Sequence, residues 1–352
     1  MTDQKPVVAG VDAHTDEHHV AALDLQGRLL GAAAFPANAA GYRQLIGWLR
    51  SQGELVRVGV ESTGAYAAGL ARALITEGIQ VLEVNQPHPH ARQRLGKSDT
   101  IDAELAARAA LSGTATAIPK QTTGVVEAIR QLMVARTGAL KARTAALQQL
   151  DDLIITAPEH LRSELRQGRT LKARAALCLQ LRPDRGRAHE PTQAAKLALR
   201  SIARRTRELD REIVTLDRQL EQLIQAAAPR TVSLFAVGTQ AASQLLITAG
   251  QNIDRLRSEA AFAKICGAAP IPASSGRTTR HRLDYGGDRQ ANRALYMVAV
   301  CRLRYCERTR VYAARRTADG LSRREILRCL KRYIAREIYH TLRADLEALN
   351  SA

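Results

Sequence analysis

Four carboxylates, Asp12, Glu61, Asp99 and Asp102, are the residues of this chain whose types and spacing could do chemistry together. Asp12 closes the apolar run Val-Val-Ala-Gly-Val-Asp, and Glu61 closes a second, Val-Arg-Val-Gly-Val-Glu; Asp99 and Asp102 stand three apart in Lys-Ser-Asp-Thr-Ile-Asp-Ala. A carboxylate at the end of an apolar strand loses hydration unless a cation or a donor compensates it. Residues three apart on a helix share a face, so two acids there repel unless something positive lies between them. Taken singly, each has a plain structural explanation: a strand-ending turn former, or a helix-start acid favoured by the dipole. Taken together they offer hard oxygen donors from separate segments, which suits Mg²⁺ and the phosphodiester chemistry Mg²⁺ supports. Ser98 is placed to cap the helix that carries Asp99 and Asp102.

Two other constellations carry weaker signals. His14, His18 and His19 follow Asp12 closely but lack the fixed i, i+4 pattern of helical metal ligands, and we expect solvated turn histidines. Ser274 and Ser275 lie in a small-residue loop flanked by Arg277, Arg280 and Arg282, where guanidinium groups could stabilise a phosphate and an attacking alkoxide. Serines are common in loops, so chemistry alone does not make either one a nucleophile.

The chain of 352 residues holds 52 Lys and Arg against 34 Asp and Glu, a formal net charge of +18. Residues 1 to 118 are near neutral, with 10 basic and 12 acidic side chains, whereas residues 277 to 336 hold 17 basic ones. An imbalance of this size is not absorbed by internal pairing and favours a polyanionic partner, nucleic acid above all. Aromatic residues make up 3% of the chain, too few for a base-stacking sheet. The five cysteines form no Cys-x-x-Cys pair and read as reduced thiols. No apolar run approaches the roughly 20 residues of a spanning helix, and the first residues lack a signal-peptide core, so a soluble intracellular protein without membrane association is expected.

The elements that must position these residues follow from periodicity. Apolar runs over residues 7–11, 20–25 and 29–35, broken by a polar turn and by Gly27, predict a three-strand meander. A helix over 39–49, a strand over 55–60, a helix over 65–75 and a strand over 80–84 follow, as in an α/β layer. From 122 to 157 and from 192 to 228, leucines near heptad spacing predict two long helices, separated by a break at Arg182-Pro183-Asp184 and Gly186. We read them as an antiparallel helical arm; a bundle packed on the catalytic domain is the alternative. Beyond 231 come helices rich in arginine around the serine loop. The expected fold is α/β plus α, with boundaries at 1–120, 121–230 and 231–352.

These residues carry a resemblance. The chain resembles the DEDD insertion-sequence transposases, the Piv/MooV-like family of RuvC-like recombinases. The likeness rests on Gly10-Val11-Asp12, Val60-Glu61-Ser62-Thr63-Gly64, the segment from Lys97 to Ala103, Gly267-Ala268-Ala269-Pro270, Ser275-Gly276 and the run Gly286 to Leu295. It departs at Val237-Gly238-Thr239, where the family commonly carries a Pro-Gly-x-Gly run. The resemblance implies an RNase H/RuvC-like N-terminal domain binding Mg²⁺ through Asp12, Glu61, Asp99 and Asp102. It also implies a coiled-coil arm that assembles a dimer or tetramer, and a mostly helical C-terminal domain carrying a nucleophilic serine. Ser275 matches that serine best, with Ser274 one residue away. Arg277, Arg280, Arg282, Arg289 and Arg293 are then expected to contact nucleic acid.

The activity so implied is DNA strand exchange between double-stranded donor and target, through a covalent serine–DNA link, with target choice by a structured guide RNA and residence on the bacterial nucleoid. Guide pairing would account for the absence of a helix-turn-helix or zinc-finger reader in the sequence. The alternatives are a RuvC-like junction resolvase or nuclease in which the carboxylates activate water, and a non-catalytic nucleic-acid-binding protein.

Overall fold

The computed structural model describes residues 5–61, 63–84, 98–274 and 280–351, and by its contacts the chain divides into two units. One comprises residues 1–127 with 245–352, the other residues 128–244.

In the first unit, β1 (Pro6–Ala13), β2 (Glu17–Asp24) and β3 (Leu29–Pro36) form the antiparallel meander. After α1 (Ala39–Gln52), β4 (Glu54–Glu61) pairs parallel to β1; after α2 (Ala68–Thr76), β5 (Gln80–Val84) pairs parallel to β4. The resulting sheet has the order β3-β2-β1-β4-β5. Parallel neighbours need a crossover, which is why helices interrupt the second half of the sheet but not the first.

The two faces of the sheet are packed differently. Val7, Ala9 and Val11 of β1, Val58 and Val60 of β4 and Val20 and Ala22 of β2 form one core with Leu45, Leu49, Leu70 and Leu74 of α1 and α2. Strand alternation sends Val8, Gly10 and Asp12, and likewise Arg57, Gly59 and Glu61, to the opposite face. There α3 (Asp99–Leu111) lies across the sheet through Ala103, Ala106, Ala107 and Ala110, all buried. Alanines on the helix and glycines on the strands allow backbone contact: a Cβ on Gly10 would stand 2.0 Å from the Ala107 nitrogen, and one on Gly59 2.5 Å from the Ala106 oxygen. Residues 116–121 then run to the C-terminal part of this unit. Arg255 donates to the Ile118 carbonyl at 2.9 Å, and Asn252 donates to the Pro119 carbonyl at 3.0 Å.

The second unit is helical. The long helices α4 (Gly124–Thr156) and α7 (Pro191–Ala227) bracket two short ones, α5 (Glu159–Arg166) and α6 (Leu171–Gln180). The long pair is antiparallel, since Arg136 bonds Asp217, Arg143 bonds Asp210 and Arg205 bonds Gln149. Along α7 the buried Leu199, Thr206, Ile213, Leu220 and Ala227 repeat every seven residues, the stripe such a pair requires. Leu150, Ile154, Leu161, Leu165, Cys178 and Leu199 close a small core where the short helices fold back. The short helices were not foreseen from the sequence, which marks only a break at Arg182-Pro183-Asp184 and Gly186 between the long helices.

The C-terminal part of the first unit continues, after α8 (Pro229–Val232) and α9 (Thr239–Ala249), through α10 (Glu259–Ile265), the short strands β6 (Ile271–Pro272) and β7 (His281–Arg282), α11 (Arg289–Tyr305), α12 (Glu307–Ala318) and α13 (Arg323–Ser351). Phe262 is fully buried, and the Tyr339 hydroxyl donates to the Leu256 carbonyl at 3.2 Å. Among the described residues no helix is long and apolar enough to cross a membrane.

Candidate functional site

Parallel pairing of β1 with β4 in the register Val11↔Val60 puts Asp12 and Glu61 next to each other at the strand ends, on the face that α3 covers. That helix begins at Asp99, with Asp99 and Asp102 in its first turn and the Ser98 hydroxyl accepting from the Ile101 nitrogen at 3.3 Å. Contact of Ala103 and Ala107 with Gly10 sets the helix start over the end of β1. Sheet and helix thus converge at one edge, and the four sequence-predicted carboxylates lie on the elements that meet there.

Their environments differ. Asp12 is 9% exposed and Asp102 3%, whereas the Asp99 side chain is about half exposed. Taking a carboxylate such as Asp12 out of water is costly without a compensating charge or donor. The compensation comes partly from histidine. His14 Nε2 lies 3.2 Å from Asp12 Oδ2 and 3.4 Å from Asp99 Oδ1, so one imidazole bridges strand and helix. Ligand atoms of Asp12, His14 and Asp99 all fall within 4.8 Å of one another, close enough to share an ion. His19, the cross-strand partner of Asp12, lies 3.1 Å from Glu17 and 3.5 Å from Asp99. Carboxylate oxygens suit Mg²⁺ or Mn²⁺, and an imidazole nitrogen in reach widens the choice toward softer divalent ions.

The expectation of solvated turn histidines holds for His14, exposed in the turn before β2, and is corrected for His18 and His19. Strand β2 begins at Glu17, and alternation turns His18 inward with Val20 and Ala22. His18 is fully buried and stacks on Tyr42 of α1 with ring centroids 5.6 Å apart. Burial lowers its pKa from the ordinary 6.5. His14 and His19 face the carboxylates instead. The signal was present as period-two alternation extended backward from Val20, and the short turn at 14–16 hid it.

The turn after Glu61 is anchored by Thr63, whose buried hydroxyl donates to Glu83 of β5 at 2.8 Å. Ser62 lies outside the described residues.

At the serine loop, β6 and β7 pair with Ile271 opposite Arg282 and Pro272 opposite His281. The Ala273 nitrogen donates to the Arg280 carbonyl at 2.8 Å, and the Arg280 nitrogen donates to Ser274 Oγ at 3.2 Å. Ser274 thus ties back to the start of β7; Ser275 and Arg277 lie outside the described residues. Arg280, Arg282, Arg289 and Arg293 are all exposed.

In the motif that follows, Asp284, Asp288 and Asn292 are structural. Asp284 accepts from the Gly286 nitrogen at 3.0 Å and pairs with Lys264. A side chain on Gly287 would stand 2.1 Å from the Gly267 nitrogen, so the glycine lets two loops touch. Asp288 caps α11, accepting from Gln290 and Ala291, and receives the Thr248 hydroxyl at 2.7 Å. Asn292 donates to the carbonyls of Cys266 and Gly267 at 3.2 and 2.6 Å.

Residues 9–156 match the model of the DEDD transposases of the IS110 type, and residues 230–314 match the model described as transposase IS116/IS110/IS902 family. A curated relative from Sinorhizobium fredii, named "Putative transposase y4uE", is 30% identical over 119 residues, 31% of this chain and 32% of the relative. The chain thus spans about a third of that relative's length. In both matched segments the chain resembles the IS110-type insertion-sequence transposases.

Proposed function

We propose that this chain, similar to the IS110-type transposases in both matched segments, is an insertion-sequence recombinase that cleaves and exchanges DNA strands through a covalent serine–DNA link. The observation that carries the reading is the cluster of Asp12, His14 and Asp99, with Glu61 at the strand end next to Asp12 and Asp102 on the first turn of α3 beside Asp99. A divalent cation held by these four side chains, Mg²⁺ by preference, would polarise the scissile phosphate and stabilise the leaving oxygen.

The remaining steps belong to the chain's own residues. The Ser275 hydroxyl attacks phosphorus, giving up its proton as the Ser275 Oγ–P bond forms. The strand's P–O bond breaks, and the departing oxygen leaves as a hydroxyl. Because the phosphoester retains the energy of the broken bond, a hydroxyl of a second strand can reverse the step and rejoin. Ser274 is less suited to this attack, since its hydroxyl already accepts from the backbone of Arg280. Arg277, Arg280, Arg282, Arg289 and Arg293 hold DNA phosphates beside the loop.

Target choice falls to pairing with a structured guide RNA, for which the large net positive charge is suited. The arm of α4 and α7 assembles copies into a dimer or tetramer, an assembly favoured by the exposed Val134 and Val214 on its helices. The serine and carboxylates of one working site then come from different subunits.

The test is strand exchange on paired recombination sites by Asp12→Asn and Asp102→Asn. Each change removes ligand charge with little change of volume. Exchange is expected to fall below detection while DNA binding stays within about two-fold of wild type. Exchange at the wild-type rate by either variant overturns the metal assignment.

A further inference from the structure

The buried face of α13 contains one cation. Ile326, Leu330, Ile334, Ile338 and Leu342 form its apolar stripe, and Lys331, 6% exposed, stands within it. Its hydrogen-bond partner among the described residues is the neutral Asn292 Oδ1, at 2.8 Å. The same Asn292 is fixed by its two bonds to the carbonyls of Cys266 and Gly267. An ammonium group taken out of water and given a neutral acceptor is expensive, so an anion is the missing partner. Burial, with Arg328 nearby, accordingly lowers the Lys331 pKa.

Lys331 lines a cavity of about 640 Å³ walled by residues 267–270, β7 and α12–α13. Six basic residues line it against two carboxylates. Asp284 binds Lys264 and the Gly286 nitrogen, while Glu325 accepts from the Ser322 hydroxyl and nitrogen and lies 3.9 Å from Arg328. With Arg328 paired to Glu325, Arg280, Arg282 and Arg332 still leave the rim positive. The walls include apolar surface from Pro270, Leu283 and the exposed Tyr333, against which a sugar or base can lie. A cavity of this size suits a small organic ligand more than a bare ion.

We propose that this cavity is a phosphate site for a nucleic-acid strand, in which Lys331, held by Asn292, is the desolvated cation beneath a single phosphodiester and the arginines of the rim hold its neighbours. The proposal rests on the reading that the chain handles DNA, but not on the serine or on the carboxylates. The ligand chemistry is a phosphate oxyanion. It could be supplied by a strand or by a free phosphate, and the experiment separates these.

The full-length protein is titrated in EDTA, so that no strand is cut, with a fluorescein-labelled single-stranded 20-mer over a range of salt. Lys331→Met keeps the apolar stem and removes the charge. It is expected to weaken binding about ten-fold and to lower the slope of log K against log salt by about one. Arg343→Gln, on the same helix but outside the cavity, should change binding less than two-fold. Equal affinity and equal slope for Lys331→Met and wild type overturn the proposal.

A second readout needs no variant and so survives any misfolding of Lys331→Met. Cys329 lines the same cavity, and its alkylation by iodoacetamide can be followed by peptide mass spectrometry. Saturating 20-mer should slow that alkylation at least five-fold, and an unchanged rate overturns the proposal. Equal protection by millimolar inorganic phosphate supports the site and assigns it a free phosphate; protection by the 20-mer alone assigns it a strand. Because both readouts are binding measurements without metal, they can fail while covalent strand exchange succeeds, and the reverse.

Discussion

Gly10 of β1 lies directly against Ala107 of α3, so close that a Cβ on Gly10 would stand 2.0 Å from the Ala107 nitrogen and 2.2 Å from the Ala103 oxygen. Both are backbone atoms and neither can swing aside. The contact brings the first turn of α3, with Asp99 and Asp102, over the strand end that carries Asp12.

Gly10→Ala should therefore act on stability and site together. The helix must lift from the sheet, at a cost of about 3 kcal/mol, the upper range of overpacking. A lower urea midpoint is expected, with loss of strand exchange. Gly47→Ala is the control, because nothing lies within 4 Å of a Cβ there and the position is inside α1. It should raise stability by about 0.5 to 1 kcal/mol. A Gly10→Ala protein as stable as wild type would show that α3 does not need this contact.

His18 gives a pH dependence of defined sign. Burial lowers its folded pKa below the ordinary 6.5, so the unfolded chain binds the extra proton first. Stability from this group is fully present above about pH 6.5 and is lost as pH falls from there toward the folded value. The slope it adds is at most about 1.4 kcal/mol per pH unit. His18→Phe should flatten the urea midpoint between pH 6.5 and 5 while preserving the stack on Tyr42. An identical pH profile in the two proteins would place the acid sensitivity elsewhere.

The arm contains an ion pair where a coiled-coil stripe would place an apolar contact. Arg136 Nε lies 2.5 Å from Asp217, which also accepts from Gln240 at 2.8 Å, and Arg143 repeats the arrangement with Asp210 one heptad away. Polar residues at stripe positions fix register at some cost in stability. In a double-mutant cycle, Arg136→Ala and Asp217→Ala should couple by about 1 kcal/mol, as a partly exposed pair does. Additive effects within error would mean that the pair does not hold the register.

Much of this architecture is legible in the residues. The strand over 80–84 is read at its observed bounds, and both long helices within about two residues, because period-two and heptad patterns are strong over such lengths. The helices α5 and α6, ahead of the break at 182–186, are not legible, since segments of eight and ten residues give too few turns for a period to stand out. The elements bearing Asp12, Glu61, Asp99 and Asp102 are likewise readable from strand ends and a capped helix. What is not readable is that Gly10 and Gly59 are glycines because α3 rests on them, or that His14 faces Asp99 across sheet and helix. Those facts depend on which face a distant helix covers. Lys331 is intermediate: a lysine within the apolar stripe of α13 is visible in the sequence, but its partner Asn292 lies 39 residues away and only the fold joins them.

The central claim is the covalent serine–DNA link, and the most direct measurement is denaturing gel mobility of end-labelled recombination-site DNA after reaction in Mg²⁺ with guide RNA. Wild type should give a slow, protease-sensitive band, Ser274→Ala should retain a measurable fraction of it, and Ser275→Ala and Asp12→Asn should give none. Cleaved DNA with free ends and no adduct in wild type, or an undiminished adduct in Ser275→Ala, would contradict the account.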